Sequence, residues 1–196
     1  MGAYLNVDKI LETKKTFYST KDVSVILEVD NTRTLENTIS GLISSGLFVQ
    51  LERGKYYLKS KFPSDFEISS YLYSPSYVSL ESALNYYGIL SQFPLETIAI
   101  TTKKTSVKKI NDKVYSYSQI KKELFTGYES KNEFLIAYPE KAIFDYLYFI
   151  VKSLRTENYL GEMDLSKLSK RKIELYLPLV SADNKKRIEK LVTKYI

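Results

Sequence analysis

Three polar residues in the middle of the chain have the types and order found in metal-dependent nuclease sites. Asp112 is followed by Glu129-Ser130-Lys131, and in such sites two carboxylates hold Mg²⁺ while the lysine orients a water molecule. The pattern is weak, because the same Glu-x-Lys triplet also occurs at Glu12-Thr13-Lys14. Glu129 also precedes the strand predicted over 133–138. A carboxylate placed before that strand could not hold a metal in the usual geometry. A nuclease using Asp112, Glu129 and Lys131 is kept as an alternative.

The composition removes several other catalytic classes. The 196 residues include neither His nor Cys, which excludes Ser-His-Asp triads, Cys-His pairs and zinc sites that use either residue. The chain also lacks the Asp-x-Asp pair of a nucleotidyltransferase, a P-loop and a GxGxxG fingerprint. We therefore expect that the protein is not an enzyme and needs no metal or other cofactor.

Three helical patterns precede a hairpin pattern in the first sixty residues. The second helix opens with a capping box, Ser19-x-x-Asp22, in which each side chain satisfies the other residue's backbone N–H. The third helix has cap candidates at 30–32 and a stop signal at Gly46. The apolar residues of the third helix lie on one stripe: Leu35, Ile39, Leu42 and Ile43.

The segment Leu47–Leu58 predicts a hairpin with Arg53-Gly54 at its tip. In a two-residue turn Glu52 and Lys55 face each other, whereas a three-residue loop with a left-handed Gly54 shifts the register by one. Both arrangements remain open, and both put cations at the tip, where they could grip phosphate or the minor groove. The residues that the first pairing places against the helices are Val49, Leu51, Tyr56 and Leu58.

The outward face of the third helix has a composition that suits DNA. It carries short polar side chains and one cation and is expected to have no Glu or Asp, whereas a merely solvated face usually carries Glu and Lys. Arg reaches guanine, Asn reaches adenine, and hydroxyls reach base edges or phosphates. The residues of this face are Arg33, Asn37, Ser40, Gly41 and Ser44, with Thr34 beside them.

The order helix, helix, short turn, helix, hairpin predicts a winged helix-turn-helix over 1–60, with the hairpin as the wing. The charge argues against DNA binding, because this segment has eight basic and seven acidic residues and counterion release needs several cations on one face. A purely structural or protein-contact module is the alternative. The cations that the segment offers to DNA are Arg33, Arg53, Lys55, Lys21 and Lys59.

The rest of the chain, 61–196, predicts a second domain of mixed α+β type, so the fold class is α+β. A capped helix is predicted over 74–88, strands over 96–104 and 113–120, and a buried helix over 139–151. An amphipathic helix is predicted for the C-terminal tail. Lysines are concentrated between the strands, and we hypothesise that Lys103, Lys104, Lys108 and Lys109 face nucleic acid; a solvated surface is the alternative.

Four blocks of the second domain carry a resemblance to a known family. They are 74–90, 98–105, 115–129 and 136–149. In this order, behind a winged-helix pattern, they resemble the successive signature blocks of the AbiEi antitoxins, which belong to type IV toxin–antitoxin systems of abortive phage infection. The resemblance covers roughly residues 5–150, and the remainder of the chain is not part of it.

The resemblance implies two functions. The winged helix would bind double-stranded DNA at inverted repeats in its own promoter and repress the operon, and the antitoxin domain, 61–196, would counter a nucleotidyltransferase toxin without needing a stable complex. By position the DNA contacts are Thr32, Arg33, Thr34, Asn37, Ser40, Arg53, Lys55 and Tyr56. The antitoxin-domain candidates are Ser79, Glu81, Tyr86, Thr101, Lys103, Lys104, Glu140, Lys141 and Asp145.

Structural roles compete with functional ones for these second-domain residues. Ser79 suits a helix cap, Glu140 suits the dipole of a helix first turn, and Asp145 suits a pair with a nearby Lys or Tyr. A protein-contact module that sequesters a partner directly is a further alternative, and its mark would be an exposed aromatic patch. The sequence shows no secretion signal and no apolar run long enough for a membrane span, so a cytoplasmic location is expected.

Overall fold

The chain divides into two compact units, Met1–Ser64 and Asp65–Ile196, whereas the sequence suggested a boundary at residues 60–61. The computed structural model describes the backbone of residues 2–196 and the side chains of residues 7–196. The fold is mixed α+β, as expected. Each unit has a hydrophobic core of its own.

The first unit consists of three helices and a small sheet. Its elements are α1 (Gly2–Glu12), β1 (Phe17–Ser19), α2 (Thr20–Leu27), α3 (Thr32–Ser44), β2 (Phe48–Glu52) and β3 (Lys55–Leu58). The strands form an antiparallel sheet in the order β1-β3-β2. The sequence analysis missed β1, because a strand of three residues is too short to show an alternating pattern.

Local hydrogen bonds start α2 and α3 where the sequence predicts. The Ser19 backbone N–H donates to the Asp22 carboxylate at 2.8 Å, and the Asp22 N–H donates to the Ser19 hydroxyl at 3.1 Å, so the capping box is confirmed. At the start of α3 the Asn31 side chain accepts from the Thr34 N–H at 3.0 Å. Gly46, with φ +75°, ends α3 as predicted.

The hairpin combines features of both predicted arrangements. Glu52 pairs with Lys55 across the turn, and Gly54 alone takes the left-handed conformation, with φ +79°. A bulge at Leu51 shifts the register between Gln50 and Glu52. Because the bulge reverses the alternation before it, Phe48 is buried and Val49 is not. The prediction that Val49 faces the core was therefore wrong, whereas Leu51, Tyr56 and Leu58 are buried as predicted.

The second unit is built on a six-stranded mixed sheet in the order β6-β7-β5-β4-β9-β8. The strands are β4 (Ser76–Val78), β5 (Thr97–Thr101), β6 (Ser106–Ile110), β7 (Lys113–Gln119), β8 (Tyr128–Lys131) and β9 (Phe134–Ala137). The helices are α4 (Asp65–Leu72), α5 (Leu80–Tyr86), α6 (Pro139–Val151), α7 (Lys170–Glu174) and α8 (Ala182–Tyr195). The pairs β4–β9 and β5–β7 are parallel, and the other pairs are antiparallel.

Helix α6 is the centre of the second unit. It begins with Pro139, as predicted, and all of its residues except Pro139 and Ile150 are buried. It contacts α5, α7 and α8. Helix α8 is the amphipathic C-terminal helix that the sequence predicts, with Ile188, Leu191 and Val192 buried. Among the described helices, none combines the length and the apolar character needed to cross a bilayer.

We predict that the charge of Asp22 stabilises the first unit in a pH-dependent way. Burial raises the pKa of Asp22, but hydrogen bonds from Lys15 and from the side chain and N–H of Ser19 outweigh burial and lower that pKa to about 2. Asp22→Asn should therefore cost about 0.5–1 kcal/mol of unfolding free energy at neutral pH. Since the folded-state pKa lies below the ordinary 3.8, the cost should shrink as the pH falls from 3.8 towards 2.

The measurement is urea unfolding followed by the NMR signals of Val23 and Leu27, which are buried on α2. Asp30→Asn is the matched control, because Asp30 is exposed; this substitution should leave stability nearly unchanged at neutral pH. A cost for Asp22→Asn that stays constant down to pH 2 would contradict the assignment.

Candidate nucleic-acid interface and a buried polar cluster

The outer surface of α3 carries the predicted DNA-contact residues of this helix. The opposite stripe, Leu35, Ile39 and Leu42, is buried and holds the helix on the core. With 13 residues, α3 is about 20 Å long, which is enough to enter a major groove. The residues Thr32, Arg33, Thr34, Asn37 and Ser40 are all exposed.

A carboxylate also lies on the exposed side of α3, contrary to the sequence prediction. Glu36 is exposed, and at about 100° per residue it lies only about 40° from Ser40 around the helix axis. The apolar stripe is narrow, so residues flanking it reach solvent too. The outward face therefore has a negative edge, and Arg33 and Asn37 are its residues best suited to base contacts.

The hairpin tip is held in place and exposes one cation. Arg53 is exposed, and the Gly54 carbonyl accepts a hydrogen bond from the Thr20 N–H at 3.1 Å, which ties the tip to the start of α2. Lys55 forms an ion pair with Glu52 at 3.0 Å, so its charge is partly neutralised before any phosphate arrives.

Tyr56 is placed where it cannot contact DNA. Its side chain is 6% exposed and stacks on Phe48 with 5.9 Å between ring centres. The DNA-contact prediction for Tyr56 was therefore wrong. Side chains alternate along a strand, and Tyr56 lies on the inner side of β3, while its neighbour Tyr57 is partly exposed.

Ion pairs reduce the charge that the first unit offers to an anionic partner. Lys9 pairs with Glu28 at 3.3 Å, and Lys15 pairs with Asp22 at 2.8 Å. Within the part of the unit whose side chains are described, the cations that are exposed and in no ion pair are Lys14, Lys21, Arg33, Arg53, Lys59 and Lys61.

A buried cluster in the second unit brings together three of the nine antitoxin-domain candidates. Lys141 and Asp145, one turn apart on α6, form an ion pair with no exposed surface. The Ser79 hydroxyl donates to the Asp145 carboxylate at 2.8 Å. Tyr77 completes the cluster: its hydroxyl accepts from Lys141 at 2.9 Å and donates to Asp145 at 3.0 Å.

Ser79 is therefore not the side-chain helix cap that the sequence suggested. It stands at the first position before α5, but its side chain makes no capping hydrogen bond. Its hydroxyl is directed to Asp145 instead. The suggestion that Asp145 pairs with a nearby Lys or Tyr is confirmed, since it pairs with Lys141 and accepts from Tyr77.

Aromatic rings and one glycine enclose the cluster. The Tyr77 ring stacks on Tyr128 with 4.9 Å between centres, and the Lys141 ammonium lies 5.7 Å from the ring centre of Tyr176. Gly127, with φ +75°, packs here without a side chain. A methyl group on Gly127 would lie 2.6 Å from the Tyr176 hydroxyl and 2.9 Å from Lys141 Cγ, so no larger residue fits without movement.

Tyr77 and Gly127 were not among the residues predicted for this site, although both lie in the four family-like blocks. One sequence signal for them was available: Lys141 and Asp145 are four residues apart on a helix that is apolar almost all round. Two charges on such a helix are buried, and buried charges need further hydrogen-bonding partners. Which residues supply them depends on the sheet, which brings β4 beside α6 and is not visible in local patterns.

Burial and charge act against each other in the cluster. Burial lowers the pKa of Lys141 and raises that of Asp145, while each charge favours the ionised form of the other. Burial, followed by the negative charge of Asp145, raises the pKa of Tyr77 well above its ordinary value, so this hydroxyl stays protonated and can donate. With all four side chains fully buried, the cluster joins β4, the start of α5 and α6 rather than facing a substrate.

The six remaining candidates lie apart from this cluster. Glu81 pairs with Arg155 at 2.9 Å, and the Thr101 hydroxyl donates to the Pro75 carbonyl at 2.7 Å. Glu140 is buried and accepts from the Ser169 N–H at 3.4 Å. The other three are exposed: Tyr86, Lys103 and Lys104.

The nuclease-like residues are not brought together. Asp112 lies in the turn between β6 and β7, whereas Glu129 and Lys131 lie on β8, and β6 and β8 are the two opposite edges of the sheet. At about 4.8 Å between neighbouring strands, these two edge strands are about 24 Å apart. Glu129 is on a strand after all, and Lys131 pairs with it at 3.1 Å. Among residues with described side chains, no group of three acidic residues could hold a metal ion.

Comparison with solved structures supports the fold alone. A crystal structure of the RV2827C protein from Mycobacterium tuberculosis is similar to this chain, with a TM-score of 0.62 and 14% sequence identity. The similarity covers 95% of this chain and 74% of that one. No protein-family model matches the chain, and no curated protein matches it.

We predict that removing one charge from the buried pair destabilises the second unit far more than removing one from an exposed pair. Asp145→Asn leaves the Lys141 ammonium buried without a counter-charge and should cost about 3–5 kcal/mol. Adding Lys141→Met removes the stranded charge and should restore much of that loss. The measurement is the free energy of unfolding in urea.

The matched control is Glu189→Gln, because Lys185 and Glu189 have the same four-residue spacing on the outer face of α8. This substitution should change stability by less than about 0.5 kcal/mol. An Asp145→Asn cost no larger than that of Glu189→Gln would show that the buried pair is not what holds α6 in place.

Proposed function

We propose that this protein is an antitoxin of the AbiEi type that represses its own operon. In this proposal the first unit binds inverted repeats in the promoter, and the second unit counteracts a nucleotidyltransferase-type toxin. The four signature-like blocks support the family assignment. Three of their residues, Ser79, Lys141 and Asp145, meet in the buried cluster, which is compatible with blocks that encode one shared core.

The proposal treats the first unit as a winged helix-turn-helix. Support comes from the element order, with three helices followed by the β2–β3 hairpin, and from β1 completing a three-stranded sheet. In this arrangement α3 is the recognition helix and Arg53 lies at the tip of the wing. Such units place the recognition helix in the major groove, and hairpin cations contact the backbone or minor groove.

The observation that carries the proposal is the exposed Arg33 and Asn37 on one side of α3. Arg and Asn are the side chains that pair bidentately with guanine and adenine. Their neighbours Thr32, Thr34 and Ser40 are hydroxyl-bearing and short, so a DNA backbone can approach the helix closely. Glu36 on the same helix disfavours a purely electrostatic attraction and favours a site chosen by base contacts.

The weak charge of the first unit leaves a role for the second unit. Lys103 and Lys108 lie over the Tyr73 ring, with 5.4 and 5.8 Å from ammonium to ring centre, and Lys104 and Lys109 are exposed. We therefore include these lysines in the proposal as a surface that adds phosphate contacts.

The first test is a mobility-shift titration of the full chain on DNA from upstream of its own gene. Arg33→Ala/Asn37→Ala should weaken specific binding at least about 30-fold, since each base contact is worth about 1–3 kcal/mol. Arg171→Ala/Asn158→Ala is a control matched in residue types, because both residues are exposed in the second unit. Equal binding by the two variants would reject α3 as the recognition helix.

The second test separates phosphate contacts from base contacts. Reversing Lys103, Lys104, Lys108 and Lys109 to Glu should flatten the dependence of affinity on salt, because each lost phosphate contact lowers the slope by about 1. The preference for the specific DNA over a scrambled duplex should persist. An unchanged salt slope would remove these lysines from the proposed interface.

A further inference from the structure

The positive charge of the chain is concentrated at its C-terminal end. Residues 165–196 contain nine Lys or Arg and three Asp or Glu, whereas residues 1–164 contain 20 basic and 20 acidic side chains. The net charge of +6 therefore belongs to the last 32 residues. A charge excess confined to one short segment indicates that an anionic partner would be attracted to that segment rather than to the protein as a whole.

Helix α8 collects four of these cations on its outer side. The helix contacts α6, and its inner residues Ile188, Leu191 and Val192 are buried. At about 100° per residue, the four cations lie within about 100° of one another around the axis, and at 1.5 Å per residue they extend over about 12 Å. We call them the cationic stripe: Lys186, Arg187, Lys190 and Lys194.

Three charges of the cationic stripe are available to a partner. Lys194 pairs with Glu157 at 3.1 Å, which partly neutralises it. By contrast, Lys186, Arg187 and Lys190 are exposed and form no ion pair with any described residue. These three side chains therefore keep their full charge at the surface.

A hollow of about 630 Å³ follows the cationic stripe. Its described lining residues all belong to α8 and include four cations and two carboxylates. One carboxylate, Glu189, pairs with Lys185 at 3.9 Å. The other, Asp183, lies in the first turn of the helix, where a negative charge suits the helix dipole. Positive charge therefore dominates the hollow.

The chemistry of the cationic stripe favours a duplex phosphate backbone over other anionic partners. A helix that binds a membrane surface inserts its apolar face, but the apolar face of α8 is buried in the core. Single-stranded nucleic acid stacks on aromatic rings, and protein interfaces rely on aromatic or apolar anchors. The described lining of the hollow contains neither kind of side chain. Closely spaced phosphates require only cations.

We propose that the cationic stripe of α8 binds the phosphate backbone of duplex DNA without regard to base sequence. The first unit presents Arg33 and Asn37 for base contacts, but residues 1–60 contain eight basic and seven acidic side chains. Phosphate contacts supply affinity that does not depend on sequence, and α8 provides them. The choice of duplex DNA rests on the proposed function, whereas the fit to a phosphate backbone rests on the stripe itself.

The test is a titration of the full chain on a scrambled DNA duplex and on the promoter duplex, at several salt concentrations. Lys186→Gln/Arg187→Gln/Lys190→Gln removes three charges, and Gln has nearly the same helix propensity as Lys and Arg, so α8 should stay folded. Affinity for the scrambled duplex at about 0.1 M salt should fall at least about tenfold, and the salt slope should become shallower by about 2–3.

The matched control is Lys121→Gln/Lys122→Gln/Lys152→Gln. These three lysines are exposed elsewhere in the second unit, so the control removes the same total charge. It should leave the salt slope unchanged. If both triple variants lost the same affinity, the effect would come from net charge alone and the cationic stripe would be rejected as a binding surface.

The outcomes separate this inference from the proposed function. Specific promoter binding by the wild type, with an unchanged slope in the α8 variant, would overturn the inference and leave the proposed function standing. Binding of the wild type to both duplexes without preference, lost in the α8 variant, would reject the repressor and support the stripe. Tighter binding to an RNA duplex of the same sequence, or to anionic lipid vesicles, would overturn the choice of DNA.

Discussion

The second unit depends on one buried ion pair, Lys141 with Asp145. Placing two charges in a core is costly unless each is paired and hydrogen-bonded. The pair therefore restricts which residues can surround it. Tyr77 and Ser79 must supply donors and an acceptor from β4 and the turn that follows it. Gly127 must lack a side chain where it meets Lys141. Residues distant in sequence are thereby fixed around the middle of α6.

This constraint separates fold from function among the candidate residues. The polar side chains that look most chemical, a lysine, an aspartate, a tyrosine and a serine in contact, are fully enclosed and act as a structural joint. The side chains suited to a partner are on the surface. These are Arg33 and Asn37 on α3. In the proposed function this surface meets DNA.

Local sequence patterns predicted much of the fold, and tertiary contacts explain the rest. The capping box at Ser19, the glycine stop at Gly46 and the buried α6 follow from short-range chemistry and hold in the structure. Strands β1 and β4 have three residues each and form through their partners, so no local pattern indicates them. The bulge at Leu51 misled the prediction for Val49, because a single extra residue reverses the alternation. For the candidate site, helical periodicity predicted which residues of α3 are exposed. The contact of Tyr77 with Lys141 and Asp145 depends on the position of β4 in the sheet, which no local pattern indicates.

In the proposed function α3 and the hairpin tip form the DNA-binding surface of the full chain. Amide hydrogen exchange, measured with and without a duplex from its own promoter, tests this claim without any substitution. We expect slower exchange at 31–44 and 52–55 when DNA is present, with the exchange of α6 unchanged. Protection confined to the second unit, or none in α3, would show that α3 is not the DNA-binding helix.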